Sequence, residues 1–168
     1  RLEAYISQFK EKTISLAVSD LHTQSEILVN ADEMMHPAST MKVPVMMEVF
    51  RQAQEKIISL DDRLEIFNSF KSIVDGSGFS LDAADDSETT LYRRLGESES
   101  IRELTRLMIV RSSNLATNLL MEQVGTARVD AFLKELGIPD MNVIRGLEDK
   151  KDYQMNINNS DSARSSAP

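Results

Sequence analysis

Two Ser-x-x-Lys pairs in this sequence have the residue types and the spacing of a serine nucleophile with a lysine base. They are Ser7 with Lys10 and Ser39 with Lys42. Residues three apart on a helix share one face, so the amine can reach the hydroxyl. A buried lysine loses its proton more easily than an exposed one and can then act as a base or a proton relay. At average Ser and Lys usage about one such pair occurs by chance in a chain of this length, so the motif alone predicts little.

The second pair stands in a setting that favours chemistry. Ser39 precedes an apolar run over residues 41–50, which is a signal for the start of a helix. A hydroxyl at this position lies at the positive end of the helix dipole, beside free backbone N–H groups. The helix is expected to run to about Lys56 and, because it is apolar over most of its circumference, to be buried centrally. Ser7 instead lies inside an amphipathic helix, and we interpret that pair as an ordinary surface pair.

Three more polar residues are candidates for the same site. Ser112 and Asn114 stand at an interruption between two apolar helices, where a hydroxyl and an amide can be directed into a cleft. Helix capping by these residues is the alternative. Glu148 follows in a polar loop and is solvent-exposed by default, so a catalytic role requires the loop to fold back over Ser39 and hold a water molecule. Arg145 is a candidate to anchor this loop through an ion pair.

Helices and short strands must position these residues. Helical spacing predicts an amphipathic helix over residues 2–11, and alternating apolar residues predict two strands over 14–19 and 26–30. The polar segment between the two strands favours an antiparallel hairpin. Residues 68–100 have little regular pattern apart from a turn signal over residues 75–78.

The second half of the chain is predicted to be mainly helical. Apolar positions at helical spacing predict one helix after Ser100 and a second that ends at Gly125, and Thr126 is expected to cap a third. Polar residues from Arg145 onward predict a long surface loop, with a new helix near Asp161.

Four acidic residues form a patch in the irregular segment, at Asp82, Asp85, Asp86 and Glu88. A solvated loop is the ordinary interpretation, and calcium binding is the alternative. The twelve-residue calcium loop with its central glycine is not present, so we expect these carboxylates to face solvent.

Composition excludes several classes of function. The 168-residue chain has a formal net charge of −8, and an acidic surface repels nucleic acid. No apolar stretch approaches the roughly 18 residues that a membrane span requires. The chain has no cysteine, which excludes disulfides and thiolate chemistry, and its histidines, His22 and His36, lack the spacing of a metal-binding pair. No metal or cofactor is therefore expected, and we interpret His36 as a structural histidine.

The motifs together are more specific than each motif alone. Ser-x-x-Lys before a buried helix, Ser-x-Asn between helices and Glu in a later loop resemble the class A β-lactamases and the wider group of serine β-lactamases and penicillin-binding proteins. Glu148 follows Asn114 by 34 positions, as the deacylating Glu of that family does. Residues 114–120 resemble the helix that follows Ser-Asp-Asn in that family, and residues 145–149 and 158–160 most resemble its divergent β-lactamase-like serine hydrolase branch.

The resemblance implies a fold, a reaction and a role for each site residue. The fold would be α/β (α+β), with a helix and hairpin of an antiparallel sheet over residues 1–35 and a mainly helical part with the active-site loop over 36–168. The reaction would open β-lactam rings through an acyl-enzyme, without a cofactor, in the periplasm or outside the cell. The implied roles are the acylated nucleophile for Ser39, proton transfer for Lys42, proton relay to the leaving nitrogen for Ser112, substrate binding for Asn114 and activation of the hydrolytic water for Glu148.

The sequence also departs from the family pattern. Ser113 stands where Asp is usual, the loop after Glu148 lacks the usual Pro-x-Leu-Asn, and the stretch from Ser39 to Ser112 is longer than usual. No Lys-[Ser/Thr]-Gly follows residue 148, so we expect the C-terminal strands to be contributed by a further segment or a second chain and the 168 residues alone to be inactive. Two alternatives stay open: a D,D-peptidase or penicillin-binding protein acting on peptidoglycan-like substrates, and a binding homologue without activity.

Overall fold

A short helix and a β-hairpin open the fold. In the computed structural model, which describes residues 2–155 and 157–163, helix α1 spans Leu2–Ile6. Strands β1 (Leu16–Asp20) and β2 (Ser25–Val29) pair antiparallel, with Leu16 opposite Val29, and lie close to the expected bounds. The predicted hairpin is confirmed. The helix predicted over residues 2–11 is wrong beyond residue 6, because so short a helix is marginal without a packed apolar face.

The first of the two serine–lysine pairs lies on this exposed segment. Ser7 and Lys10 are both exposed, and Ser7 Oγ donates a hydrogen bond to the Ala4 carbonyl, 3.1 Å away. The interpretation of this pair as an ordinary surface pair is confirmed.

The second pair lies at the start of a central helix. A 3₁₀ turn over Ala38–Met41 leads into helix α2 (Lys42–Gln54), which ends close to the predicted position. Pro44 lies in the first turn of α2, where its missing N–H interrupts no helical hydrogen bond.

The buried face of α2 contains polar residues, so the expected apolar circumference is wrong in part. Glu48 is fully buried and accepts hydrogen bonds from Arg51 Nε (2.7 Å) and Gln52 Nε2 (2.6 Å). Gln52 Nε2 also donates to the Val124 carbonyl at 3.0 Å. These groups tolerate burial because each has a partner, whereas the apolar Phe50 of the same helix is exposed.

Two small antiparallel pairs follow α2. Strand β3 (Arg63–Glu65) pairs with β6 (Ser98–Ser100), and β4 (Phe70–Lys71) pairs with β5 (Gly78–Phe79). The chain between β4 and β5 turns at Gly76, whose φ of +71° favours glycine, so the predicted turn is confirmed.

Three helices complete the core. Helix α3 (Ile101–Val110) is capped by Ser100 Oγ, and α4 (Asn114–Val124) ends at Gly125, which has a φ of +83°. Helix α5 (Thr126–Glu135) begins directly after this glycine without a side-chain cap, so the prediction that Thr126 caps it is wrong. Buried side chains from α2 to α5 and the turn before α2 form the core, including Met41, Val45, Val49, Leu104, Met108, Leu115, Leu119, Leu120, Val129 and Leu133.

The last described segment returns to the residues that precede α2. Helix α6 (Lys150–Gln154) lies within the predicted surface loop, and Asp161 forms a backbone bridge with Met35. The helix predicted near Asp161 would occupy mainly residues 164–168, which lie outside the described residues. None of the described helices is long and apolar enough to cross a membrane. The mixture of helices and small antiparallel sheets agrees with the expected fold class.

Candidate active site

Ser39 lies exposed in the turn before α2, with its hydroxyl beside that of Ser112. The two Oγ atoms are 3.0 Å apart, and either can donate the hydrogen bond. Ala38 immediately before Ser39 adopts a φ of +47°, and its N–H donates to His36 Nδ1 at 2.9 Å. The imidazole therefore caps the turn that presents Ser39, which agrees with the structural role predicted for His36.

Lys42 is buried beneath this pair of hydroxyls, with only 2% of its surface exposed. Its Nζ donates to the Ser112 carbonyl (2.6 Å), to Ser112 Oγ (3.0 Å) and to Asn114 Oδ1 (2.8 Å). The spacing predicts a direct reach from the amine to Ser39, whereas the hydrogen bonds of the structure connect Lys42 to Ser39 through Ser112 Oγ. Burial lowers the pKa of Lys42 to about 8, and the negative charges of Asp86 and Glu148 oppose that shift.

The turn between α3 and α4 places Ser112 and Asn114 within hydrogen-bond distance of the lysine amine. Ser112 adopts a φ of +55°, an uncommon conformation for a residue other than glycine, and this conformation directs its carbonyl and hydroxyl toward Lys42. Ser113 points inward and caps α4 by accepting a hydrogen bond from the Ala116 N–H at 3.1 Å. Capping is therefore the role of Ser113, while Ser112 and Asn114 face the site.

Glu148 approaches the same amine from the later loop. Its Oε1 accepts a hydrogen bond from Asn114 Nδ2 at 3.3 Å, so the loop folds back toward the site as a catalytic role requires. Glu148 adopts a φ of +63°, a second strained backbone position among the site residues. Arg145 anchors the loop through hydrogen bonds from its guanidinium to the Gly146 carbonyl (3.1 Å) and Asn158 Oδ1 (3.0 Å).

The side chain of Asn118 holds the loop that carries Glu148. One turn after Asn114 on α4, its Oδ1 accepts from the Leu147 N–H at 2.7 Å and its Nδ2 donates to the Leu147 carbonyl at 3.0 Å. The backbone next to Glu148 is thereby fixed to the same helix that carries Asn114. Sequence reasoning placed Asn118 only within a family-like stretch and assigned it no function.

We expect Asn118→Ala to destabilise the fold and to release this loop. The substitution leaves the N–H and carbonyl of Leu147 without their partner, which costs on the order of 1–3 kcal/mol of unfolding free energy. Urea unfolding of the full-length protein measures this loss, and Gln123→Ala, at an exposed amide of the same helix, is the control. An unchanged urea midpoint for Asn118→Ala would mean that the clamp does not stabilise the loop.

Asp86 and Glu88 are buried, which corrects the prediction that the acidic patch is solvated. Asp86 is 7% exposed and Glu88 is 4% exposed, whereas Asp82 and Asp85 face solvent as expected. Each buried carboxylate accepts hydrogen bonds from backbone N–H groups, which compensates the loss of water. Among the described residues, no group of three or more His, Asp or Glu side chains is placed to hold a metal ion, so the calcium alternative has no support there.

An open cavity of about 470 Å³ lies beside Glu148 and the loop that carries it. Its lining includes His36, Arg145, Glu148 and Gln154, so it reaches from the segment before Ser39 to the candidate general base. The structure thus brings together the five candidate residues, Ser39, Lys42, Ser112, Asn114 and Glu148, along one continuous path of hydrogen bonds.

Comparison with known proteins gives a family match over nearly the whole chain. Residues 1–167 match the sequence profile of a family described as "Beta-lactamase enzyme family". The chain belongs to the β-lactamase enzyme family. No curated protein matches the chain.

Solved structures of the β-lactamase fold superpose on most of this family member. A β-lactamase from Chitinophaga pinensis is 19% identical, with a TM-score of 0.74 over 96% of this chain and 57% of its own. A mutant of PBP-A, solved as an acyl-enzyme complex with penicillin G, is 21% identical, with a TM-score of 0.77 over 98% of this chain and 56% of its own. An ancestral class A β-lactamase is 20% identical, with a TM-score of 0.75 over 98% and 60%. At these identities the likeness shows the fold, and the chain spans less than two thirds of these relatives' length.

Proposed function

We propose that the protein is a serine hydrolase that opens β-lactam rings through a covalent acyl-enzyme on Ser39. The observation that carries the proposal is the hydrogen-bonded path from Lys42 Nζ through Ser112 Oγ to Ser39 Oγ, with both distances at 3.0 Å. A serine hydroxyl is a weak nucleophile until a base removes its proton, and this path supplies one. Because the pKa of Lys42 is lowered to about 8, about a tenth of the amine is neutral at pH 7, far more than for an exposed lysine.

In acylation, Ser39 Oγ would bond to the lactam carbonyl carbon and its proton would pass toward Ser112 and Lys42. The carbon–nitrogen bond of the ring then breaks, and the leaving nitrogen takes a proton from Ser112 Oγ. Ser112 contacts both Ser39 and Lys42, so it can pass protons in either direction. Asn114 would orient the substrate amide, because its side chain lies between Lys42 and Glu148.

In deacylation, Glu148 would take a proton from a water molecule whose oxygen bonds to the ester carbon. The bond from that carbon to Ser39 Oγ would then break, and Ser39 Oγ would regain a proton through Ser112. Its carboxylate is partly exposed and lies next to the cavity, where a water molecule has access. The backbone clamp from Asn118 and the hydrogen bond from Asn114 hold it in place. The acyl-enzyme complex of the PBP-A mutant with penicillin G supports penicillins as the substrate class to test first. We also propose that the protein acts in the periplasm or outside the cell, where β-lactams and peptidoglycan-like substrates are encountered.

A fluorescent penicillin tests the proposal on the full-length protein. We expect a single covalent label, mapped by peptide mass spectrometry to Ser39, that disappears in Ser39→Ala. Ser7→Ala is the matched control, because Ser7 belongs to the second Ser-x-x-Lys pair and should leave labelling unchanged. A folded full-length protein that takes no label on Ser39 would contradict the proposal and favour a binding homologue without activity.

A further inference from the structure

We propose that Asp86 is a positioning residue for acylation, which orients the Ser112–Asn114 turn and sets the charge around Lys42. The inference rests on the proposed function, since it concerns the same serine and lysine. Asp86 precedes the turn by more than twenty residues and lies between two short 3₁₀ turns, Ala83–Asp85 and Leu91–Arg93, so its spacing in the sequence does not indicate this role.

One carboxylate oxygen of Asp86 binds the start of helix α4. Its Oδ2 accepts hydrogen bonds from the backbone N–H groups of Asn114 and Leu115, both at 2.9 Å, and lies 3.5 Å from Ser113 Oγ. These are among the N–H groups that a helix start leaves without helical partners, and a negative charge there is favoured by the helix dipole. The backbone that carries Asn114 is therefore held by Asp86 rather than by the helix alone.

Two contacts hold the carboxylate in turn. The Tyr92 hydroxyl donates to Asp86 Oδ2 at 2.9 Å, and the Glu88 N–H donates to Asp86 Oδ1 at 3.0 Å. Burial, followed by this hydrogen bond to Asp86, raises the pKa of Tyr92 far above its usual value, so the phenol stays a donor throughout the pH range of the experiments. Asp86 is thus fixed at both oxygens and is 7% exposed.

Ser113 leaves room for only one such carboxylate. It is fully buried, lies against Asp86 and uses its hydroxyl to cap α4, at the position where the resembled family usually carries Asp. An Asp at this position beside Asp86 would place two buried carboxylates in contact, which is strongly unfavourable. We infer that Asp86 supplies, from a different segment, the negative charge that the turn lacks.

The charge of Asp86 also acts on the lysine. Two carboxylates influence Lys42 from separate segments, Asp86 from the segment between β5 and β6 and Glu148 from the loop before α6, and both favour the protonated amine. Glu88 and the neutral Tyr92 contact Asp86 itself, through the Glu88 N–H and the Tyr92 hydroxyl. Removing the charge of Asp86 should therefore lower the pKa of Lys42 further below about 8, and the neutral amine should become available at lower pH.

The test is the pH profile of the acylation rate with a penicillin, measured by stopped flow on the full-length protein. In the wild type we expect the rate to rise with pH as Lys42 loses its proton. In Asp86→Asn we expect the midpoint of this rise to move down by about one pH unit and the plateau rate to fall about tenfold, because an amide holds the two N–H groups less well than a carboxylate. Asp82→Asn is the matched control. Asp82 is an exposed carboxylate of the same segment, and its side chain accepts a hydrogen bond from the Ala84 N–H.

Tyr92→Phe is a second variant that keeps the charge and removes one hydrogen bond to it. We expect acylation to slow about threefold with no movement of the pH midpoint, because Lys42 still faces the same charges. If Asp86→Asn folds and keeps both the wild-type plateau and the midpoint, the positioning role is wrong. If Asp86→Asn does not fold, a wild-type acylation rate in Tyr92→Phe overturns it instead. Either result leaves the proposed function standing as long as the wild type acylates on Ser39.

Discussion

Lys42→Met is expected to slow acylation of Ser39 by about 10³-fold, the middle of the range for loss of a general base. Methionine fills a similar volume in the buried position but cannot take a proton from Ser112 Oγ, so the path that activates Ser39 is broken. The pH dependence should change with it. The wild-type acylation rate is expected to rise with pH around the lowered pKa of Lys42, about 8, and this rise should be absent in the variant. Stopped-flow acylation of the full-length protein with a penicillin measures both effects.

Two further variants separate proton transfer from charge and from folding. Lys42→Arg keeps a positive charge that does not deprotonate, so we expect it to be nearly as slow as Lys42→Met. Lys10→Met, in the exposed Ser-x-x-Lys pair, should leave the rate unchanged. Circular dichroism reports whether each variant folds. A folded Lys42→Met protein that acylates at the wild-type rate would exclude Lys42 as the base.

Glu148→Gln is expected to trap the acyl-enzyme. Glutamine keeps the size of the side chain and an oxygen that can accept the hydrogen bond from Asn114, but it is not basic enough to take a proton from water. Acylation should continue while deacylation slows by about 10²- to 10⁴-fold, the range for a general base. Mass spectrometry of the full-length protein mixed with a penicillin should show the adduct on Ser39 persisting, together with an initial burst in the turnover assay.

The same variant separates a β-lactamase from a penicillin-binding protein. If the wild type already holds its acyl-enzyme as long as Glu148→Gln does, Glu148 is not the deacylating base, and the D,D-peptidase or penicillin-binding alternative is favoured. Glu135→Gln, at an exposed carboxylate at the end of α5, is the control and should turn over like the wild type.

The sequence predicts helices α2 to α5 and the first hairpin well, because their apolar residues recur at the period of each element. The capping Ser100 before α3 and Gly125 after α4 mark ends that the local sequence determines. The prediction is wrong where an apolar pattern is present in the sequence but no tertiary packing supports it. The first helix ends at Ile6, because its apolar residues Tyr5 and Phe9 remain exposed and give it no packed face.

The candidate site follows the same division. Serine and lysine at one helical turn, and the order of the later motifs, were readable from the chain and lead to the family that the comparison confirms. The relay through Ser112 was not readable in this form, since the reach of the Lys42 amine depends on the φ of +55° at Ser112.

The chain's own order of residues determined which chemical groups are present, in which helices they stand and to which family the chain belongs. Tertiary structure alone decided which of them meet. Asp86 and Asn118 illustrate this: an acidic loop residue caps α4 beneath the site, and an amide of α4 holds the loop that carries Glu148. The physical reason is that a carboxylate or amide has no fixed partner in a linear pattern. Its partner is whichever unpaired backbone group the packed helices bring within about 3 Å. Once the pair is buried, loss of the contact destabilises the fold, because water cannot replace the missing partner.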